Sequence, residues 1–176
     1  MLTVNETCLR PYEAGDLETL KTLRNDAAMQ ASLLALPRGS SSERVVAWVT
    51  QMSTDSGSLF FVVATVPTGR PIGFVQLARI DFIHGHGELG IALTAEARGK
   101  GHGAAAIQLL EGHARDVFGI RKCVLHVLAT NEAAMRLYER LGYVHVGTLR
   151  SHFYHRGAHH DVVLMEKSLV DTTRAR

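Results

Sequence analysis

Residues 97–106 read ARGKGHGAAA, with three glycines at alternate positions between an arginine and an alanine run. Glycine loses more backbone freedom on folding than any other residue, so holding three of them in order needs a return. The stretch follows ELGIAL (88–93), a strand pattern, and opens residues 103–118, where Ile107, Leu110, Ala114 and Val117 recur on one helical face. Glycines between a strand and a helix let backbone N–H groups approach an anion at the positive end of the helix dipole. The stretch thus predicts an α/β chain that binds a phosphate there, with Arg98 and Lys100 interleaved. The plainer alternative is a turn that is merely rich in glycine.

The rest of the chain alternates in the same way. Residues 14–28 carry Leu17, Leu20, Leu23 and Ala27 at helical spacing. A second helix is expected over 40–52, opened by serines suited to N-capping. SLFFVVATV (58–66), the turn PTGRP (67–71) and IGFVQLARIDFI (72–83) read as a hairpin. After the glycine helix come a strand at 122–129 and a short helix at 131–142 ending on Gly142. Two last strands follow at 143–155 and 160–169. The order β-α-α-β-β-β-α-β-α-β-β predicts one α/β (α+β) domain over 1–170. Its sheet is mixed and largely antiparallel, of about seven strands with helices on both faces, and 171–176 form a tail.

Bulk properties narrow the function. At 176 residues the chain is long enough to bury a core without staples. A net charge of +2 does not suggest a nucleic-acid or membrane partner. Cys8 and Cys123 make neither a disulfide framework nor a metal pair. With no signal peptide or membrane-length apolar run visible, a cytoplasmic location is expected.

The glycine spacing excludes a P-loop, which needs G-x-x-x-x-G-K-[ST]. A dinucleotide fingerprint can be drawn through Gly99, Gly101 and Ala104. However, TAEAR (94–98) separates the strand from the first glycine, and the following strand ends without the ribose-binding acid. Arg98-Gly99-Lys100-Gly101-His102-Gly103 instead fits the R/Q-x-x-G-x-G/A motif. With LRPYEAGDLETL, ELGIALTAEARGKGHG and NEAAMRLYERLGY, the chain resembles the GCN5-related N-acetyltransferase (GNAT) superfamily over about residues 8 to 169. Its C-terminal part is most similar to the RimJ/RimL-type branch.

The resemblance implies acetyl-CoA as co-substrate and an amine acceptor: a ribosomal-protein N-terminus, a polyamine, an amino sugar, or an amine-bearing antibiotic or herbicide. The pyrophosphate would sit on the N–H groups of 98–104, that is Arg98, Gly99, Lys100, Gly101, His102, Gly103 and Ala104. The pantetheine arm would pass Ile91, Ala92 and Leu93, on a strand splaying from its neighbour at Cys123–Leu128. Asn131 N-caps the short helix and would also touch the pantetheine. Dimerisation is common in the superfamily, and no interface for it is readable in the sequence.

Acetyl transfer needs a neutral amine. At pH 7 deprotonating a lysine-like amine costs about 4.6 kcal/mol, and an α-amine only about 1.4 kcal/mol. The resemblance puts the base at Glu88; His86, on the same face of an extended strand, is the substitute, and both stay open. Tyr138 would meet the departing thiolate as proton donor, and also as part of the cofactor site. Met135, Tyr138 and Leu141 share helical spacing, so Tyr138 also reads as core. His152, His155, His159 and His160 cluster near the C-terminus, but strand alternation and the absence of zinc-type spacing predict no metal site. The function expected is N-acetyl transfer by direct attack in a ternary complex; the rival is a non-catalytic acyl-CoA-binding regulatory module.

Overall fold

The computed structural model describes residues 1–170; the expected tail at 171–176 lies outside the described residues. Eight strands form one sheet, one more than the sequence suggested. The extra strand is β1 (Leu2–Val4), a three-residue arm hairpinned onto β2 (Thr7–Arg10) and too short to register as a strand pattern. There follow α1 (Leu17–Asn25), α2 (Ala27–Ser32), α3 (Ser42–Thr54), β3 (Leu59–Thr65), β4 (Pro71–Asp81) and β5 (His86–Leu93). The chain continues through α4 (His102–Phe118), β6 (Lys122–Leu128), α5 (Glu132–Arg140), β7 (Val144–His155) and β8 (Ala158–Ser168). The single helix expected over 14–28 is divided at Asp26. Its extended backbone ends α1, and its carboxylate accepts the amides of Ala28 and Met29 at 2.9 and 3.0 Å, starting α2. A short polar side chain thus competes with the helix and wins.

The strand order is β1-β2-β3-β4-β5-β6-β8-β7. Every pairing is antiparallel except β5 with β6, which the crossover through α4 makes parallel. Side-chain alternation divides the core into two layers. On one face Ala106, Ile107, Leu110 and Ala114 of α4 pack on Val63, Val75 and Leu77. On the other, Leu20 and Leu23 of α1 and Val45 and Val49 of α3 cover Phe60, Val62, Phe74 and Ala92. Trp48 of α3 sits edge-on to both Phe60 and Phe74, with ring centroids 5.2 and 5.1 Å away. No described helix is long and apolar enough to cross a membrane.

One polar group is committed deep under α4. Glu111 accepts from the Tyr143 hydroxyl at 2.8 Å and from Lys167 Nζ at 2.5 Å, with only 5% of its side chain exposed. Removing one partner of such a set leaves buried groups unpaired. Glu111→Ala is therefore expected to lower the unfolding free energy by about 3 kcal/mol, measured by urea denaturation.

The feature that positions the site is a failure of pairing. The β5–β6 ladder holds His86 to Lys122, Gly87 to Cys123 and Glu88 to Val124, then ends. Both strands continue, β5 to Leu93 and β6 to Leu128, but no longer as partners. The sheet opens there, and backbone groups on the facing edges are left for another partner.

Candidate active site

The opening lies within a cavity of about 1030 Å³ that connects the two faces of the sheet. On the α4 side it begins at the glycine loop. Gly101 caps α4 at φ 87°, and Gly99 has φ 73°, a left-handed backbone that a Cβ would strain. No side chain caps α4 and no acid stands in its first turn. Among the described residues, no hydrogen bond engages the amides of residues 99–104. Arg98 Nε donates to the carbonyl of Leu93 at 3.1 Å, tying the loop to the end of β5. Space around Gly99 and Gly101 is open, so the amides present an unobstructed cradle for a diphosphate.

The expected cofactor residues divide by position. Ile91, Leu93, Arg98, Gly99, Gly101, Gly103, Ala104, Asn131 and Tyr138 line the cavity. Ala92 faces the α1–α3 core. Lys100 and His102 line a separate hollow of about 260 Å³, and His102 Nδ1 meets Thr7 Oγ1 at 2.8 Å. The His102 ring is thus committed to Thr7, and what it offers the loop is its backbone. Asn131 caps α5, its Oδ1 accepting the Ala134 amide at 3.2 Å.

Alternation puts Glu88 on the α1–α3 face, where β6 also presents His126. Glu88 Oε1 meets His126 Nδ1 at 3.2 Å, and Oε2 is bound by Arg79 Nη2. Arg79 reaches it from a bulge in β4, where its φ of 51° and a register shift between Ala78 and Asp81 turn the side chain. Burial first, and the Arg79 charge second, hold the His126 imidazole below its usual 6.5. It is therefore neutral at pH 7, and with Nδ1–H donating to Glu88 its lone pair is at Nε2.

Tyr138 approaches from the opposite face, on α5, 8% exposed with its ring 5.7 Å from that of Tyr143. Burial pushes its phenol up to about 12. His86 stands on the same strand face as Glu88 but outside the cavity lining, its ring stacked on His84 at 6.4 Å. Of the C-terminal histidines only His152 lines the cavity, beside Phe153.

Sequence reasoning missed His126, Arg79 and Gln76. His126 is the one polar residue inside KCVLHVL, and Gln76 breaks the apolar run IGFVQLA. A polar side chain in a buried strand was the available signal for both. The Gln76 Oε1 is buried with no hydrogen-bond partner among the described residues, and the residue lines the cavity.

A sheet split beside an uncapped, glycine-opened helix defines an acyl-thioester transferase fold, and the comparisons agree. The acetyltransferase (GNAT) domain family matches residues 6–144, and the chain belongs to it. It is an N-acetyltransferase enzyme of that family. It is similar to spermidine N(1)-acetyltransferase of Vibrio cholerae, 29% identical over 92% of each chain. The enzyme of the same name from Escherichia coli is 27% identical, over 94% of this chain and 87% of that one. The crystal structure of the Vibrio cholerae spermidine N-acetyltransferase in complex with CoA and spermine superposes with a TM-score of 0.86, at 28% identity. It covers 93% of this chain and 96% of that one. These relatives are spermidine N-acetyltransferases, so the RimJ/RimL-type branch expected from the C-terminal part is not supported.

Proposed function

We propose that the protein transfers acetyl from acetyl-CoA to the primary amine of a small molecule, by direct attack across the β5–β6 opening. The observation that carries this is the through-sheet cavity with unengaged loop amides on one face and the Glu88–His126 pair on the other. Full-length relatives named for a small amine favour such an acceptor over a protein N-terminus.

Acetyl-CoA supplies an activated acyl carbon and a thiol leaving group. The amides of residues 99–104, Ile91 and Leu93 along β5, Gly103 and Asn131 hold and orient it. Both Glu88 oxygens are already taken, by Arg79 and His126. The proton shed by the nitrogen as it bonds to the acyl carbon therefore passes to His126 Nε2. Glu88, through Nδ1, orients the ring and stabilises the imidazolium. Tyr138 donates from its hydroxyl to the departing sulfur. With a phenol near 12 and a thiol near 8.5, full transfer is uphill by about 5 kcal/mol, so a hydrogen bond to sulfur is its main role.

Thiol release with a panel of amines tests the reading. Tyr138→Phe should lower kcat by roughly 10-fold or more while acetyl-CoA affinity is unchanged; an unaltered kcat would remove Tyr138 from the reaction. The His126 imidazole must be neutral to act. At saturating amine, the acid limb of kcat should therefore fall below pH 6.5, and His126→Gln should abolish it.

A further inference from the structure

The charges around the cavity do not suit a polycation. Arg24, Arg79, Arg98, Arg136 and Arg140 line it against one carboxylate, Glu88, which is already paired. Arg98, Arg136 and Arg140 belong to the glycine loop and α5, where a diphosphate is at home. Arg24, at the last turn of α1, stands on the other face of the sheet. Its guanidinium lies 4.4 Å from the centre of the Trp48 ring and reaches Ser40 Oγ at 3.5 Å. Among the described residues it has no carboxylate partner. Partial burial, helped by the nearby Arg44, lowers its pKa, as for a cation that has given up part of its hydration without an anion in exchange.

A second unmet group lies on the same face of the sheet, one pleat from the pair that carries Glu88. Gln76 faces the same side of β4 as Phe74, which packs against Trp48, and its buried carboxamide oxygen accepts nothing. It stands opposite Gly90, one pleat from the pair Ala78–Glu88. From Phe74 to Ala78 the strand rises about 14 Å, so Phe74 against Trp48, then Gln76, then the Ala78–Glu88 pair follow one another along one face.

Resting on the acetyltransferase reading of this site, we propose that the acceptor is an elongated primary amine with an apolar middle and an anionic far end. Its amine lies between Gln76 and His126, its body against Phe74 and Trp48, and its carboxylate or similar anion on Arg24. The guanidinium gives two parallel N–H donors to such an anion, and Trp48 holds the plane that presents them. Gln76 lines the cavity, and a turn of its carboxamide presents the unmet oxygen to one N–H of the amine, which aims the nitrogen lone pair. A polyamine would instead put a positive charge against Arg24.

The test uses an aromatic ω-amino carboxylic acid, its neutral methyl ester and spermidine. Each is titrated into the protein by calorimetry without acetyl-CoA, then assayed with it. The acid should bind at least roughly 10-fold tighter than its ester. Arg24→Gln should erase that difference, and Arg24→Lys should restore part of it. Equal binding of acid and ester, tighter binding of spermidine, or a preference that survives Arg24→Gln would overturn the proposal. Acetyl-CoA is titrated separately. Its failure to bind would count against the acetyltransferase reading, while the comparison of acid with ester, made without it, still decides the acceptor.

Discussion

The Gly101→Glu/Gly103→Glu variant should bind acetyl-CoA at least about 100-fold more weakly than the parent protein, a loss near 2.8 kcal/mol. Two effects combine. Gly101 has φ 87°, so any side chain there strains the turn that aims the amides. A Cβ on Gly103 would lie 3.4 Å from Leu137 Cδ2 and 3.6 Å from Leu93 Cδ1, so a glutamate there extends into the passage. Both new carboxylates also stand at the positive end of α4, where the diphosphate is expected. The strain stays local to the turn, because α4 is anchored by Ile107 and Leu110 further along. Calorimetry measures the affinity, and circular dichroism checks that the fold persists. Retained affinity would move the diphosphate elsewhere.

Glu88→Gln should reduce kcat by roughly 100-fold and leave acetyl-CoA affinity within twofold. The amide keeps the shape but loses the charge that orients His126 and balances Arg79. Without it the imidazolium is less stable, so the acid limb of the pH profile should move further below pH 6.5. A purely structural role for Glu88 would lower the melting temperature and leave that limb in place. Turnover within twofold of the parent would remove Glu88 from proton handling.

Local features were readable in the sequence, and pairings between distant strands were not. The glycine loop, α4 and the Asn131 cap announce themselves because each is set by a few adjacent residues. The division of the first helix at Asp26 was missed because a capping carboxylate inside a helical pattern looks like an ordinary polar position. Glu88 could be named, but its partners could not. His126 is 38 residues away across the one parallel pairing among the described residues, and Arg79 arrives through a bulge that strand alternation does not foresee. Arg24 has the same difficulty. In sequence it is one more charge near a helix end, and only the folded chain sets it over the Trp48 ring beside the cavity.

Acetyl-CoA binding at this site depends on a diphosphate held by the amides of residues 99–104. The most direct measurement is a pair of calorimetric titrations, one with acetyl-CoA and one with acetyl-pantetheine, which has the thioester and the arm but no diphosphate. Micromolar binding of acetyl-CoA, with acetyl-pantetheine at least about 100-fold weaker, is the predicted result. Equal affinity for the two, or no binding of acetyl-CoA, would contradict it.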